Sequence, residues 1–295
     1  MAYAGIETLF PSEFLPRLER LTLASKRTFK GRVRGERKSP RKGISVEFCD
    51  YRPYGVGDDL RYVDWNIYGR LDRLYLKLFV DEEDLCLHLL LDASASMDYG
   101  APTKFDYGVR LAAALGFVGL VNLERVGTAV VRERVAAGWS PTRGRNQFLP
   151  LVEFLLRLRP GGTTGLNEGL TSYALRARDP GLAVLISDLM DPSGYESGLR
   201  ALLERRFDVH VIHMLAPAEL DPTFGGDLRM VDAETGETLL VNTGSKSVRM
   251  NYEKQYRDKV KYFKETFSKC GSGVVNSRVD ESYVTKLLGY FKSRG

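Results

Sequence analysis

Leu85-Cys-Leu-His-Leu-Leu-Leu91 runs without a break into Asp92-Ala-Ser94-Ala-Ser96-Met97. The first seven residues form a continuous apolar run of strand length, the pattern of a strand covered on both faces. Small polar residues then end it, and Phe105 to Asn122 follows with Val109, Leu111, Ala112, Leu115, Phe117 and Val118 spaced as a largely buried helix. Strand, short turn and helix in that order open a parallel α/β unit.

The same alternation continues toward the C-terminus. Val126 to Val131 is β-rich, and Asn146 to Leu158 repeats apolar residues at steps of three and four before Arg-Pro-Gly-Gly stops it. Leu166 to Arg178 reads as a helix and Leu182 to Ser187 as a buried strand. Tyr195 to Arg206 and Val209 to Met214 supply another helix and strand. The expected fold class is therefore α/β, doubly wound, with a mostly parallel sheet flanked by helices. A hairpin is expected from Leu228 to Asp232 and Thr238 to Asn242. An aromatic-striped helix carries Tyr252, Tyr256, Val260, Phe263 and Phe267, a short strand covers Gly273 to Asn276, and a closing helix runs from Glu281 to Phe291.

Upstream of Leu85 the texture changes. Residues 1–84 read as a polar, partly β-rich extension, and residues 85–295 as the α/β domain with its hairpin and helices. Within the extension, Glu47 to Tyr51 suggests a strand that leads into a loop at Gly55-Val-Gly-Asp58-Asp59, and Leu74 to Val80 alternates as a half-buried strand. Lys26 to Lys42 holds much of the net charge of +5. With Phe29 its one aromatic, that stretch reads as a solvated arm, and nucleic-acid binding through it is the alternative.

The three cysteines, Cys49, Cys86 and Cys270, are odd in number and far apart, so no disulfide framework or C-x-x-C site is expected. The longest nearly uncharged apolar run, Leu111 to Leu123, falls short of the ~20 residues needed to cross a bilayer, and residues 1–12 lack a signal-peptide pattern. A cytoplasmic protein is expected.

Chemistry concentrates where the first strand ends. Asp92, Ser94 and Ser96 place one carboxylate and two hydroxyls in the turn after a buried parallel strand, at the sheet edge where open α/β folds bind ligands. Alternate residues of such a turn can converge on one point. Two more loops offer oxygens at the same edge: Gly161-Gly-Thr163-Thr164-Gly165, and Ser187-Asp188 after its own apolar strand. Oxygen-only donors suit Mg²⁺, with Mn²⁺ or Ca²⁺ as alternatives, and do not suit zinc.

In their order, DxSxS then Thr then Asp, the three loops resemble the metal-ion-dependent adhesion site of von Willebrand factor A domains. The resemblance implies that Asp92, Ser94, Ser96, Thr163 and Asp188 hold the ion, directly or through water, with one position left open for a partner's carboxylate. Thr164 is the alternative to Thr163. A second resemblance covers nearly the whole chain. Tyr51-Arg-Pro-Tyr-Gly-Val-Gly-Asp-Asp-Leu-Arg61-Tyr-Val-Asp64-Trp65, then Lys77 and the DxSxS strand, are similar to the bacterial family called domain of unknown function 58, with Val56 where a proline is usual. That family implies an adaptor or co-chaperone for a MoxR-type AAA+ ATPase.

Enzymatic readings find less support in the residues. Of the three histidines, His88 lies inside the buried strand, and His210 and His213 point to opposite faces of theirs, so neither a shared metal nor a Ser-His-Asp base is expected. Gly161 to Gly165 lacks the lysine of a phosphate-binding loop. A metal-assisted phosphohydrolase, with Asp191 or Asp98 as base, is the remaining enzymatic alternative. Asp58, Asp59 and Asp64 offer a second acidic site or paired carboxylates as an alternative, but Gly55 to Asp59 reads as a tight turn whose aspartates bond to the backbone, with Arg61 and Trp65 packing locally.

Overall fold

The computed structural model describes residues 46–81, 85–220, 226–242, 246–269 and 273–282. They fall into two compact units, residues 46–81 in one and residues 85–282 in the other. The basic stretch Lys26 to Lys42, Cys270 and all but the first two residues of the expected closing helix lie outside the described residues.

In the first unit, β1 (Val46–Pro53) pairs antiparallel with β2 (Tyr75–Asp81), with a register shift between Phe48 and Asp50. Between them lies α1 (Trp65–Leu71), which the sequence reading did not anticipate. Its amphipathic signal is weak because it is two turns long and contains Gly69. Its start depends on Asp64, whose Oδ1 accepts from the backbone N–H groups of Asn66 (2.9 Å) and Ile67 (3.2 Å), satisfying two donors that a helix start leaves unpaired.

The second unit is built on a six-stranded sheet among the described residues, in the order β10-β7-β6-β3-β4-β5. Its strands are β3 (Cys86–Asp92), β4 (Arg125–Val131), β5 (Val135–Arg143), β6 (Leu182–Ser187), β7 (Asp208–Leu215) and β10 (Gly273–Arg278). All neighbours are parallel except β4 with β5. The helices are α2 (Lys104–Val121), α3 (Phe148–Arg157), α4 (Leu166–Arg176), α5 (Glu196–Glu204), the single turn α6 (Pro217–Leu220) and the long α7 (Lys246–Lys269). The short hairpin β8 (Asp227–Val231) and β9 (Thr238–Asn242) forms its own two-stranded ribbon.

Alternation along β3 divides the core in two. Leu87, Leu89 and Leu91 pack with the apolar side chains of α2 and α3, whereas Leu90 packs with Leu166 and Leu170 of α4, Leu199 and Leu202 of α5, and Phe263 and Phe267 of α7. Every residue of β3 is buried, as a central strand covered on both sides requires. Burying each of these leucines is worth about 1.5–3 kcal/mol, which is why so continuous an apolar run folds into the middle of the sheet. The expected mostly parallel sheet with helices on both faces is thus what the chain forms.

Helix α2 lies close against the sheet because glycines face it. A Cβ at Gly108 would meet Leu91 at 3.1 Å, and one at Gly119 would meet Val126 at 2.7 Å. The close approach fixes where the turn between β3 and α2 sits. That turn carries the DxSxS motif.

Candidate metal centre

Parallel register brings the first two loops together. Asp92 stands opposite Val131 of β4, and Leu91 stands opposite Ile186 of β6, so Ser187 lies alongside the end of β3. Ser187 Oγ donates to Asp92 Oδ2 at 2.6 Å, while Asp92 Oδ1 accepts from Ser94 N at 3.0 Å and Ser94 Oγ at 2.7 Å. Ser94 Oγ lies 3.0 Å from Ser96 Oγ. Asp92, Ser94, Ser187 and Asp188 are buried.

The third loop is pinned to the first by its backbone. Gly161 N donates to Ala93 O at 2.9 Å, and Ala95 N donates to Gly162 O at 3.0 Å. Gly161 and Gly162 both adopt positive φ, 147° and 81°, which explains the glycine pair that precedes the threonines. Thr163 follows immediately and is exposed. Thr164 is half-buried and already engaged: its N–H donates to Glu234 Oε2 at 3.0 Å, and its hydroxyl donates to Glu234 Oε1.

Asp188 has a partner that the sequence did not suggest. Its Oδ2 accepts from Lys104 Nζ at 2.6 Å, and the same ammonium reaches Glu219 Oε1 at 2.6 Å. Lys104 is 1% exposed. Burial alone would pull its pKa down, but the Asp188 and Glu219 carboxylates outweigh that and raise it, so the lysine stays charged. One signal could have found it: a cation in the first turn of a helix opposes the macrodipole and calls for a compensating anion. Ser187, Glu219 and Glu234 carried no comparable local signal.

Burial first, and then the nearby Asp188 carboxylate, push the Asp92 pKa up to about 7; the bonds from Ser187 and Ser94 pull the other way. With all groups ionised, Asp92, Asp188 and Glu219 outnumber the two ammonium groups that interact with them, Lys104 and Lys259, so negative charge is left in excess for a cation to offset. The donor chemistry fits as well. In an octahedron with ligands at about 2.0–2.1 Å, adjacent oxygens are roughly 2.9 Å apart, close to the 3.0 Å between the two serine oxygens. Donating one proton to Asp92 leaves the Ser94 oxygen with lone pairs to offer an ion.

The loop after Asp188 is under backbone strain. Leu189 is 1% exposed and sits at φ 56°, a conformation that costs a branched residue about 1–2 kcal/mol, and Ser187 Oγ accepts its N–H at 2.9 Å. Such strain persists where surrounding bonds over-determine the backbone. Here it turns the chain sharply at the sheet edge, just past Asp188.

Other candidate groups resolve into local structure. Asp58 accepts from Gly55 N at 2.7 Å and pairs with both terminal nitrogens of Arg52 at 2.7 and 2.6 Å, and Asp59 pairs with Arg61 at 2.5 Å. The Lys77 ammonium at 3.0 Å, with the bonds from Tyr51 and the α1 backbone, holds the Asp64 carboxyl down at about 2. His88 bonds the Tyr173 hydroxyl at 2.7 Å inside the core, and His210 and His213 take separate partners, Asp208 and Asn276. Cys86 is buried and free, and burial pushes its thiol up to about 11. Among the described residues no cluster of three His, Cys, Asp or Glu side chains could hold a metal, and no helix is long and apolar enough to cross a membrane.

The chain is similar to several known proteins. Uncharacterised proteins of Mycobacterium tuberculosis and Mycobacterium bovis are each 26% identical over 283 residues, which is 94% of this chain and 88% of theirs. Among solved structures, the conserved hypothetical protein BatB from Bacteroides thetaiotaomicron is 15% identical, with 71% of this chain and 99% of that chain covered at a TM-score of 0.43. The SpRpn10 VWA domain is 14% identical, with 70% of this chain and 94% of that chain covered at a TM-score of 0.39. Residues 50–262, well over half the chain, match the profile of one family, and the chain belongs to it: Protein of unknown function DUF58.

Proposed function

We propose that this protein is a metal-dependent protein-interaction module in which Asp92, Ser94, Ser96, Thr163 and Asp188 gather a divalent cation, Mg²⁺ by donor chemistry, whose open position takes a carboxylate from a partner. The observation that carries this reading is the oxygen-only group of buried Asp92 and Ser94 with half-buried Ser96, at the mouth of a parallel sheet and in negative-charge excess. A site of this kind binds. Asp191, one of the two carboxylates suggested as a base, has both oxygens engaged, Oδ2 by Leu166 N at the start of α4 at 2.6 Å and Oδ1 by Ser193 N and Oγ at 2.8 and 2.6 Å. That arrangement favours binding over metal-assisted hydrolysis.

The partner that the family resemblance implies is a MoxR-type AAA+ ATPase, with this chain as its adaptor or co-chaperone. The test is co-purification of the two in Mg²⁺ and in EDTA, with wild type and Asp92→Ala. Association in Mg²⁺ that is lost in EDTA and in the variant is expected. Equal association in EDTA would remove the metal from the interface.

A further inference from the structure

The β8–β9 hairpin is exposed along nearly its whole length. From Arg229 to Leu240 every side chain is exposed except one, Glu234, at the tip. Its backbone is shaped around it. Asp232 Oδ1 accepts from Glu234 N at 2.9 Å and Thr235 N at 2.8 Å, Asp232 N and Glu237 O close the turn at 2.8 Å, and Gly236 takes φ 73°. The result is a tight turn that presents one carboxylate on a two-methylene arm. Both of its oxygens go to Thr164, 70 residues earlier in the chain, one to the backbone N–H and one to the hydroxyl.

Thr164 follows Thr163 in the loop that Gly161 and Gly162 pin beside Ala93 and Ala95. A carboxylate delivered to that loop by a turn is the same chemistry that a cation with an open position would accept from a partner. We propose that Glu234 is an in-chain stand-in for the partner's carboxylate, so that the hairpin covers the site in the isolated chain and a partner enters by displacing it. This rests on the metal-site reading above and adds two things to it. The partner presents a glutamate from an exposed turn, and it competes with Glu234. Displacement costs the hairpin from Arg229 to Leu240 the burial of one side chain and its two bonds to Thr164.

The probe is a synthetic peptide copying residues 231–238, cyclised through its ends, which lie opposite each other in register at Val231 and Thr238. It is titrated in Mg²⁺ into wild type and into Glu234→Ala, beside a control peptide with Glu234→Gln. The expected result is saturable binding to the variant. Wild type should bind on the order of a hundredfold more weakly, because its tethered carboxylate competes at high effective concentration, and the control peptide should not bind. Amide exchange supplies the second measurement: Glu234→Gln should speed exchange at the Thr164 N–H and across residues 227–242. No binding to Glu234→Ala, equal binding to wild type, or unchanged exchange would overturn the inference. Mn²⁺ binding to wild type and to Asp92→Asn, measured without peptide, tests the metal site separately, and peptide binding that survives EDTA would keep the role of Glu234 while removing the ion from it.

Discussion

Lys104 occupies a position where lysine is normally solvated, the first turn of a helix, yet it is buried between Asp188 and Glu219. Removing one member of such a buried group leaves the others charged and unpaired, so Lys104→Met should cost about 3–5 kcal/mol in urea unfolding at pH 7 without divalent ions. Saturating Mg²⁺ should recover part of that loss if the ion supplies the missing positive charge; no recovery would show that the lysine and the ion act at separate places. Its neighbours illustrate the limits of sequence reading at this scale. Asp92, Ser94 and Ser96 declare themselves by spacing within five residues. The Lys104–Asp188 and Ser187–Asp92 contacts span 84 and 95 positions, and no local pattern encodes them.

A pH effect also belongs to single residues. Burial holds the pKa of His88 down at about 4, below the 6.5 of an exposed imidazole, and that of His213 likewise. Between those values the unfolded chain binds protons that the folded chain does not, so stability is full above pH 6.5 and falls as pH drops toward 4. His88→Leu should lower the midpoint of thermal unfolding at pH 7.5, because the Tyr173 hydroxyl loses its partner, yet flatten the decline between pH 7 and 5. An unchanged slope would place the proton uptake elsewhere.

At the scale of elements, β3, β4, β6 and β7 were legible as apolar runs, and their helices as three-and-four periodicities. Strand β5 was not. Its sequence, Val135 to Arg143, contains Gly138 and Pro141 and is only half-buried, which weakens both composition and alternation. It tolerates proline because among the described residues it is the edge strand, paired on one side only, and Gly127 of β4 makes room for the ring. Helix α1 escaped for a related reason, since Asp64 rather than an apolar face starts it. Asp64→Ala should therefore destabilise the first unit by about 1 kcal/mol in thermal unfolding through the lost cap. Gly181, at the entrance to β6, is the sharper case. A Cβ there would lie 2.0 Å from the Cys86 carbonyl oxygen, and backbone has to move to admit it. Gly181→Ala is expected to cost at least ~1–3 kcal/mol, and a neutral effect would mean that β3 and β6 start further apart.

At the scale of the molecule, two compact units share one chain of net charge +5, and the unit with the parallel sheet carries the oxygen-rich loops. Carbonyls and hydroxyls of three loops meet because parallel strands end at one edge and α2 and the 158–165 loop fix the turn between them. A cation that binds only the folded chain raises stability by linkage, by about 2.7 kcal/mol at a hundredfold excess over its dissociation constant. Binding itself is the more direct quantity. Asp92→Asn is close to isosteric and leaves the amide able to bond Ser94 and Ser187, so it tests the carboxylate without emptying the turn. Mn²⁺ titrated into the two proteins and followed by electron paramagnetic resonance should show one saturable site per wild-type chain, displaced by Mg²⁺ and absent in Asp92→Asn with its fold intact; no saturable site in wild type, or an equal one in the variant, would contradict a metal centre at Asp92.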